Sequence, residues 1–278
     1  MGGVQPTMTH PGAERVRKVR ALTTAAGRRR ARAFIVEGPQ SVREAVAYAP
    51  GLIKDLYLTV DASQRYPEIV DAAVRHRRHL HLCAPEVVEA MSPDAQGVVA
   101  VATSPDRARP DFAATGAGGA RFFAGLVEAR DPGNVGAVIR AADAAGAAGV
   151  CLSAGSVAPE NPKVVRSTAG SLFHLPVSTG LSPRDMVARA HQAGLQVLAT
   201  SPSADHTLDA PGDLDLVAPT LWLFGNEAHG LPPEVAAAAD ATVALPMYGR
   251  AESLNLAMAA TLCLFASARV CHASQGPS

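Results

Sequence analysis

Aromatic residues are scarce: Phe, Trp and Tyr make up 4% of the 278 residues, with a single Trp. Any core must therefore be built from Ala, Val and Leu. At 48% hydrophobic and 18% charged, the chain still has ample apolar content to pack, which excludes disorder throughout. No window offers about 20 uninterrupted apolar residues, as a membrane span requires. The nearest candidate, Leu254 to Val270, carries Asn255, Thr261, Ser267 and Arg269 and reads as a buried helix. The N-terminus has no basic-then-apolar secretory pattern, so a cytoplasmic location is expected. Cysteine is sparse as well. Cys83, Cys151, Cys263 and Cys271 form no C-x-x-C pair, and only Cys271 adjoins a histidine. Reduced core thiols are expected, with no metal site. Two catalytic signatures are also missing. No G-x-G-x-x-G follows the first strand of either half, which disfavours a Rossmann-type nucleotide site, and no G-x-S-x-G elbow supports a serine hydrolase.

Net charge is zero, but its distribution is uneven: residues 1–120 carry +4 and residues 121–278 carry −4. Between Arg15 and Arg32 lie eight basic residues and no acid. A second cluster, Arg75, Arg77 and Arg78, is interleaved with His76, His79 and His81. Either could be a solvated helix face. Two such clusters in one half favour a polyanion, RNA, with Arg15, Arg17, Lys18, Arg28, Arg29, Arg30 and Arg32 as candidate phosphate contacts.

A length of 278 residues suits two domains. The stretch 104–120, rich in Pro, Gly and Ala, reads as a linker between a domain at 14–103 and another at 121–278. In the first domain, strands are expected at Phe34–Gly38, Ile53–Val60, His79–Cys83 and Gln96–Ala102. Helices should begin at Pro39, Ile69 and Pro85, giving a small αβα unit. In the second, strands are expected at Phe122–Glu128, Val150–Ser153, Leu175–Thr179, Gln196–Thr200, Leu221–Gly225 and Thr242–Leu245. They alternate with helices at Val135–Ala147, Val164–Ser171, Pro183–Ala193, Pro233–Ala239 and Leu254–Val270. That alternation indicates a parallel sheet covered on both faces. Ligands in such sheets sit beyond the carboxyl ends of the strands.

Three of those loops stand out. After the first strand comes Asp131-Pro132-Gly133-Asn134-Val135-Gly136, in which Asn134 is a candidate N-cap. Arg140 follows about one and two-thirds turns later. A later strand ends in Phe224-Gly225-Asn226-Glu227, then Gly230-Leu231-Pro232; the glycines admit a close ligand, and a lone turn residue such as His229 is more often idle. The third loop runs from Leu245-Pro246-Met247 to Glu252-Ser253-Leu254-Asn255. Ser253 would cap the last helix, which leaves Asn255 inside the first turn, where asparagine gains little. A polar residue set against local preference is a candidate for function.

Together, Asn134/Gly136/Arg140, Phe224 to Leu231, and Leu245 to Met247 with Glu252 to Asn255 resemble the three motifs of the SpoU (TrmH-type) branch of the SPOUT RNA methyltransferases. Each motif alone is weak; their order across residues 121–278 makes chance agreement remote. Phe34 to Gly38 resembles, more loosely, the start of the ribosomal-protein-like substrate-binding module often joined to that family. The resemblance implies an α/β parallel-sheet domain with a C-terminal trefoil knot, an exception to the unknotted rule. It also implies a homodimer and S-adenosylmethionine held by Thr200, Gly225, Leu245, Met247, Ser253 and Leu254. The implied reaction is transfer of the sulfonium methyl to a ribose 2′-hydroxyl, with no metal and no membrane.

Arginine stays protonated in proteins. Arg140 is therefore expected to clamp a neighbouring phosphate and steady the developing alkoxide, while Asn134, Glu227, Ser253 and Asn255 position the ribose. The extra N-terminal module favours large-subunit ribosomal RNA. The alternatives are transfer RNA, a ribosomal target that confers antibiotic resistance, or an RNA-binding relative that has lost transfer.

Overall fold

A computed structural model describes residues 5–107, 110–210, 212 and 214–273. Two compact units are present: Met1–Asp106 with Pro159–His174, and Arg107–Ala158 with Leu175–Ser278.

The first unit opens with α1 (Glu14–Ala21) and α2 (Ala25–Ala31). Then follow β1 (Ala33–Glu37), α3 (Pro39–Tyr48), β2 (Ile53–Thr59), α4 (Val60–Arg65), α5 (Pro67–Arg75), β3 (His79–Cys83), α6 (Pro85–Met91) and β4 (Val98–Thr103). The sheet runs β1-β4-β2-β3, with β2 and β3 parallel and the other pairs antiparallel. Chain geometry stops the strands: Gly38 has φ 85°, a left-handed conformation that glycine tolerates. Val16, Val19 and Leu22, spaced by three along and just past α1, are buried against Val87, Met91 and Tyr57, so the basic residues of α1 point outward.

The second unit contains β5 (Phe122–Leu126), α7 (Pro132–Ala144) and β6 (Gly149–Ser153). After α8 (Pro162–Ser167), which belongs to the first unit, come β7 (Val177–Leu181), α9 (Pro183–Gln192), β8 (Gln196–Thr200) and β9 (His206–Thr207). The unit ends with β10 (Thr220–Phe224), α10 (Pro233–Ala236), β11 (Ala241–Ala244) and α11 (Leu256–Ala273). The seven strands lie in the order β7-β6-β5-β10-β8-β11-β9, and every pairing is parallel. Alternation within β10 serves both faces. Leu221 and Leu223 join the apolar layer containing Met186, Val187 and Ala190 of α9. The Trp222 indole N–H donates to Ser267 Oγ of α11 at 2.9 Å. α11 is long and apolar enough to cross a membrane by composition, but it packs on α7, β5 and β10.

Two expectations are corrected. The stretch 104–120 is not a free linker from end to end. Phe112 is buried edge-on against Phe123, their centroids 5.2 Å apart, and Ala117 N–H donates to Gly146 O. The helix expected within Val164–Ser171 is present as α8, but it packs on β1 rather than on the parallel sheet.

Candidate functional site

The site grows from three strand ends. Past β5, Val127 N–H still bonds Phe224 O at 2.9 Å. Glu128 then turns left-handed at φ 50° and stops the strand. Asp131, not Asn134, is the N-cap of α7: its Oδ1 accepts the Asn134 backbone N–H at 2.7 Å, and Pro132 occupies the first turn. This corrects the sequence expectation and frees the Asn134 side chain.

Past β10, the chain doubles back. Asn226 N–H bonds Gly230 O, and Gly230 N–H bonds Asn226 O. A Cβ on Gly225 would lie 2.1 Å from the Gly230 carbonyl carbon, so only glycine fits there. Asn226 Nδ2 donates to Glu128 O at 2.8 Å, and its Oδ1 accepts Ala228 N–H. This amide joins two loops; the F-G-N-E run places it at the ligand edge of the sheet but does not name these partners.

Past β11, residues 245–255 form neither helix nor strand. α11 starts at Leu256, capped by Asn255 and not by Ser253. Asn255 O accepts Ala259 N–H, and Asn255 Oδ1 accepts Ala257 N–H at 2.8 Å. The other end of the same amide, Nδ2, donates to Asn134 Oδ1 at 2.8 Å. Asn134 Nδ2 in turn donates to Glu227 Oε1 at 2.8 Å. Three residues more than 90 positions apart in part thus form one directed chain, each amide fixed at both ends.

Two cavities flank this chain. One, about 540 Å³, is lined by Thr200, Gly225, Leu245, Met247, Ser253 and Leu254, so the six residues expected around a cofactor share one space. Its walls are apolar at Phe224, Val243 and Leu256, and Thr200 Oγ1 donates to Leu223 O. The other, about 770 Å³, is lined by Glu128, Arg130, Asp131, Asn134 and His229 among others. Asn226, Glu227, Gly230 and Asn255 line both. Beside the smaller cavity, the Tyr248 hydroxyl donates to Asp209 Oδ2 at 2.7 Å. That bond holds the Asp209 carboxyl below its usual range and pushes the Tyr248 hydroxyl up.

Arg140 is not brought to this place. It is exposed on α7 and lines neither cavity. Of the basic residues proposed for RNA, Arg15, Arg17, Lys18, Arg29, Arg30 and Arg32 are exposed. Arg15 also lies 2.9 Å from His81 Nε2. Arg28 is a correction: its guanidinium is buried, donates to Leu22 O and Thr23 O, and has its pKa pushed down by burial. It closes the end of α1 and offers nothing to a phosphate.

Fold and site define an α/β domain that can hold a small ligand against a second one at the carboxyl edge of its sheet. Residues 121–265 match the SpoU rRNA methylase family, and residues 35–108 match the RNA 2′-O ribose methyltransferase substrate-binding domain. The chain belongs to the SpoU rRNA methylase family. The 23S rRNA (uridine(2479)-2′-O)-methyltransferase of Streptomyces viridochromogenes is 40% identical over 141 residues, 50% of this chain and 49% of that protein. The 23S rRNA (guanosine(2553)-2′-O)-methyltransferase RlmP of Bacillus subtilis is 29% identical over 91% of this chain and 95% of its own length. A crystal structure of an AdoMet-bound rRNA methyltransferase from Sinorhizobium meliloti superposes with a TM-score of 0.80 at 31% identity. That match covers 97% of this chain and 99% of the other.

Proposed function

We propose that this protein transfers a methyl group from S-adenosylmethionine to a ribose 2′-hydroxyl of ribosomal RNA. The carrying observation is that Asn226, Glu227, Gly230 and Asn255 line both cavities, so the two spaces adjoin at these residues: in-line transfer needs the donor methyl and the acceptor oxygen within about 3.5 Å of each other at one such junction.

The smaller cavity fits the donor. About 540 Å³ is within the range of small-ligand sites. Gly225 admits close approach, Leu245, Met247 and Leu254 give an apolar wall, and the irregular 245–255 backbone offers N–H and C=O groups. S-adenosylmethionine supplies an electrophilic sulfonium methyl there. The protein's part is positioning. Glu227, one oxygen held by Asn134, directs its carboxylate at the ribose hydroxyls, and Asn255 fixes Asn134. Ser253, which lines only the donor cavity, holds the donor.

The exposed arginines of α1 and α2 make the phosphate contact of the substrate-binding unit. The four buried cysteines, none in a disulfide, suit a reducing cytoplasm. The return of the chain from β11, at one side of the sheet, through 245–255 to α11 on α7 and β5 supports a trefoil knot. α11 also carries Met258, Leu262 and Phe265, all exposed and spaced for one helix face. A second copy of the chain covers this face, giving a homodimer. Arg140, exposed on the helix packed beside α11, then serves the partner's site.

Labelled methyl transfer to ribosomal RNA followed by alkaline hydrolysis tests the reaction. A ribose methyl blocks cleavage, so label is expected in alkali-resistant dinucleotides. Label in mononucleotides alone would mean base methylation and overturn the reading.

A further inference from the structure

The two rRNA methyltransferases described above act on different nucleosides, a uridine and a guanosine, so membership of the family leaves the target base open. The larger cavity carries information about it. Beyond the shared wall, its rim holds Glu128 and Arg130, whose Oε2 and Nη2 lie 3.7 Å apart. Both side chains keep much of their surface open to solvent, at 47% for Glu128 and 74% for Arg130, so neither is committed to the core.

Glu128 is also unusually well placed for a rim residue. A non-glycine residue at φ 50° pays a conformational penalty, and two hydrogen bonds hold it there. Its N–H donates to Ser153 Oγ at 2.8 Å, and its carbonyl accepts from Asn226 Nδ2 at 2.8 Å. The base of this carboxylate is therefore fixed by the loops that build the shared wall.

Resting on the function proposed above, we propose that Glu128 and Arg130 select guanosine as the nucleoside whose ribose is methylated. The reason is the order of donors and acceptors along each base edge. Guanine offers two adjacent donors, N1–H and N2–H, which match the two oxygens of one carboxylate. Next to them stands O6, an acceptor for a guanidinium. Uracil presents its single N–H between two carbonyls, so a carboxylate there meets two acceptors. Cytosine and adenine each present one amino donor beside a ring acceptor. Only guanine gives both carboxylate oxygens a donor and the guanidinium an acceptor beside them; cytosine and adenine supply a donor to one oxygen alone, and uracil sets two carbonyls against the carboxylate.

The test has two stages. The full-length protein is given ribosomal RNA and labelled S-adenosylmethionine, and the 2′-O-methylated nucleoside is identified by mass spectrometry. The expected product is 2′-O-methylguanosine. A synthetic RNA spanning the mapped site is then made with guanosine or with inosine, which lacks only the 2-amino group. The unaltered protein is expected to prefer guanosine by roughly 10-fold or more in kcat/KM. Glu128→Gln, which replaces one acceptor oxygen by a donor, should erase that preference. Glu128→Gly, which suits the left-handed φ and so retains folding, should erase it too. A product of 2′-O-methyluridine, -cytidine or -adenosine would overturn this inference while leaving the reaction standing. So would a guanosine preference that survives in both variants. Absence of any ribose methylation would overturn the proposed reaction, and the inference with it.

Discussion

Asn134 has both ends of its side-chain amide occupied, donating to Glu227 and accepting from Asn255. Alanine at this position removes both bonds without emptying a core site, because Asn134 is only half-buried. Asn134→Ala is expected to slow methyl transfer by roughly 10²-fold while the melting temperature changes by no more than a few degrees. Single-turnover kinetics alongside a thermal melt would check this; unchanged turnover would remove the amide chain from the site. These three residues were legible as polar groups at strand ends. Which residues cap the helices was not, because capping depends on backbone angles: Asp131 at φ −76°, ψ 118° caps α7 where Asn134 was expected to. A second expectation concerns pH. Burial pushes the Cys83 thiol up to about 11, the Cys151 thiol and the Tyr57 hydroxyl up to about 12. In the unfolded chain these groups lose protons near pH 9 to 10, before the folded protein does. Their contribution is therefore complete below pH 9 and is lost as pH rises, between 9 and about 11 for Cys83, between 9 and about 12 for Cys151 and between 10 and about 12 for Tyr57. Denaturant midpoints measured across that range should fall steadily, and a flat profile would contradict the burial argument.

At the scale of elements, α8 shows what periodicity cannot supply. Its Arg166 donates to buried Glu37 of β1 and lies 2.6 Å from Asp94, while Glu37 also accepts from the Ser92 hydroxyl. Nothing in the helical pattern of residues 162–167 names a partner 129 positions away, so the segment looked like an ordinary crossover helix of the parallel sheet. The strands on either side were legible, β8 to the residue, because turn residues and apolar runs are local signals. In α1 and α2 the density of arginines masks the helical signal, which lies in the three-residue spacing of buried Val16, Val19 and Leu22. The pairing at Glu37 makes a graded expectation. Arg166→Ala strands a buried carboxylate and should cost about 2 kcal/mol of stability. Asp94→Ala removes a partner whose side chain is 63% exposed and should cost under about 1 kcal/mol. Chemical denaturation of both variants would decide; equal losses would mean that burial of Glu37 does not control the energetics.

At the scale of the whole molecule, the position of Arg140 and the exposed face of α11 pose one question. Arg140 stands outside both cavities of its own chain, while Met258, Leu262 and Phe265 expose apolar surface on the helix packed against α7. If a second copy covers that face, a charge placed in it must be expelled from the contact. Phe265→Glu is then expected to convert a dimer to a monomer in sedimentation velocity. The same assembly makes a sharper demand on the site. Arg140→Ala and Asn134→Ala should each be nearly inactive as pure homodimers. When the two are mixed, unfolded and refolded together, half of the chains are expected to pair across genotypes. In a mixed dimer one site has Asn134 from one chain and Arg140 from the other, while the second site lacks both. Such a mixture should therefore recover about a quarter of the unaltered activity per chain, by the counting of a two-fold assembly. Recovery would assign Arg140 to its partner's cavity. A mixture no more active than the two pure variants would return Arg140 to its own chain, or to no part in the reaction.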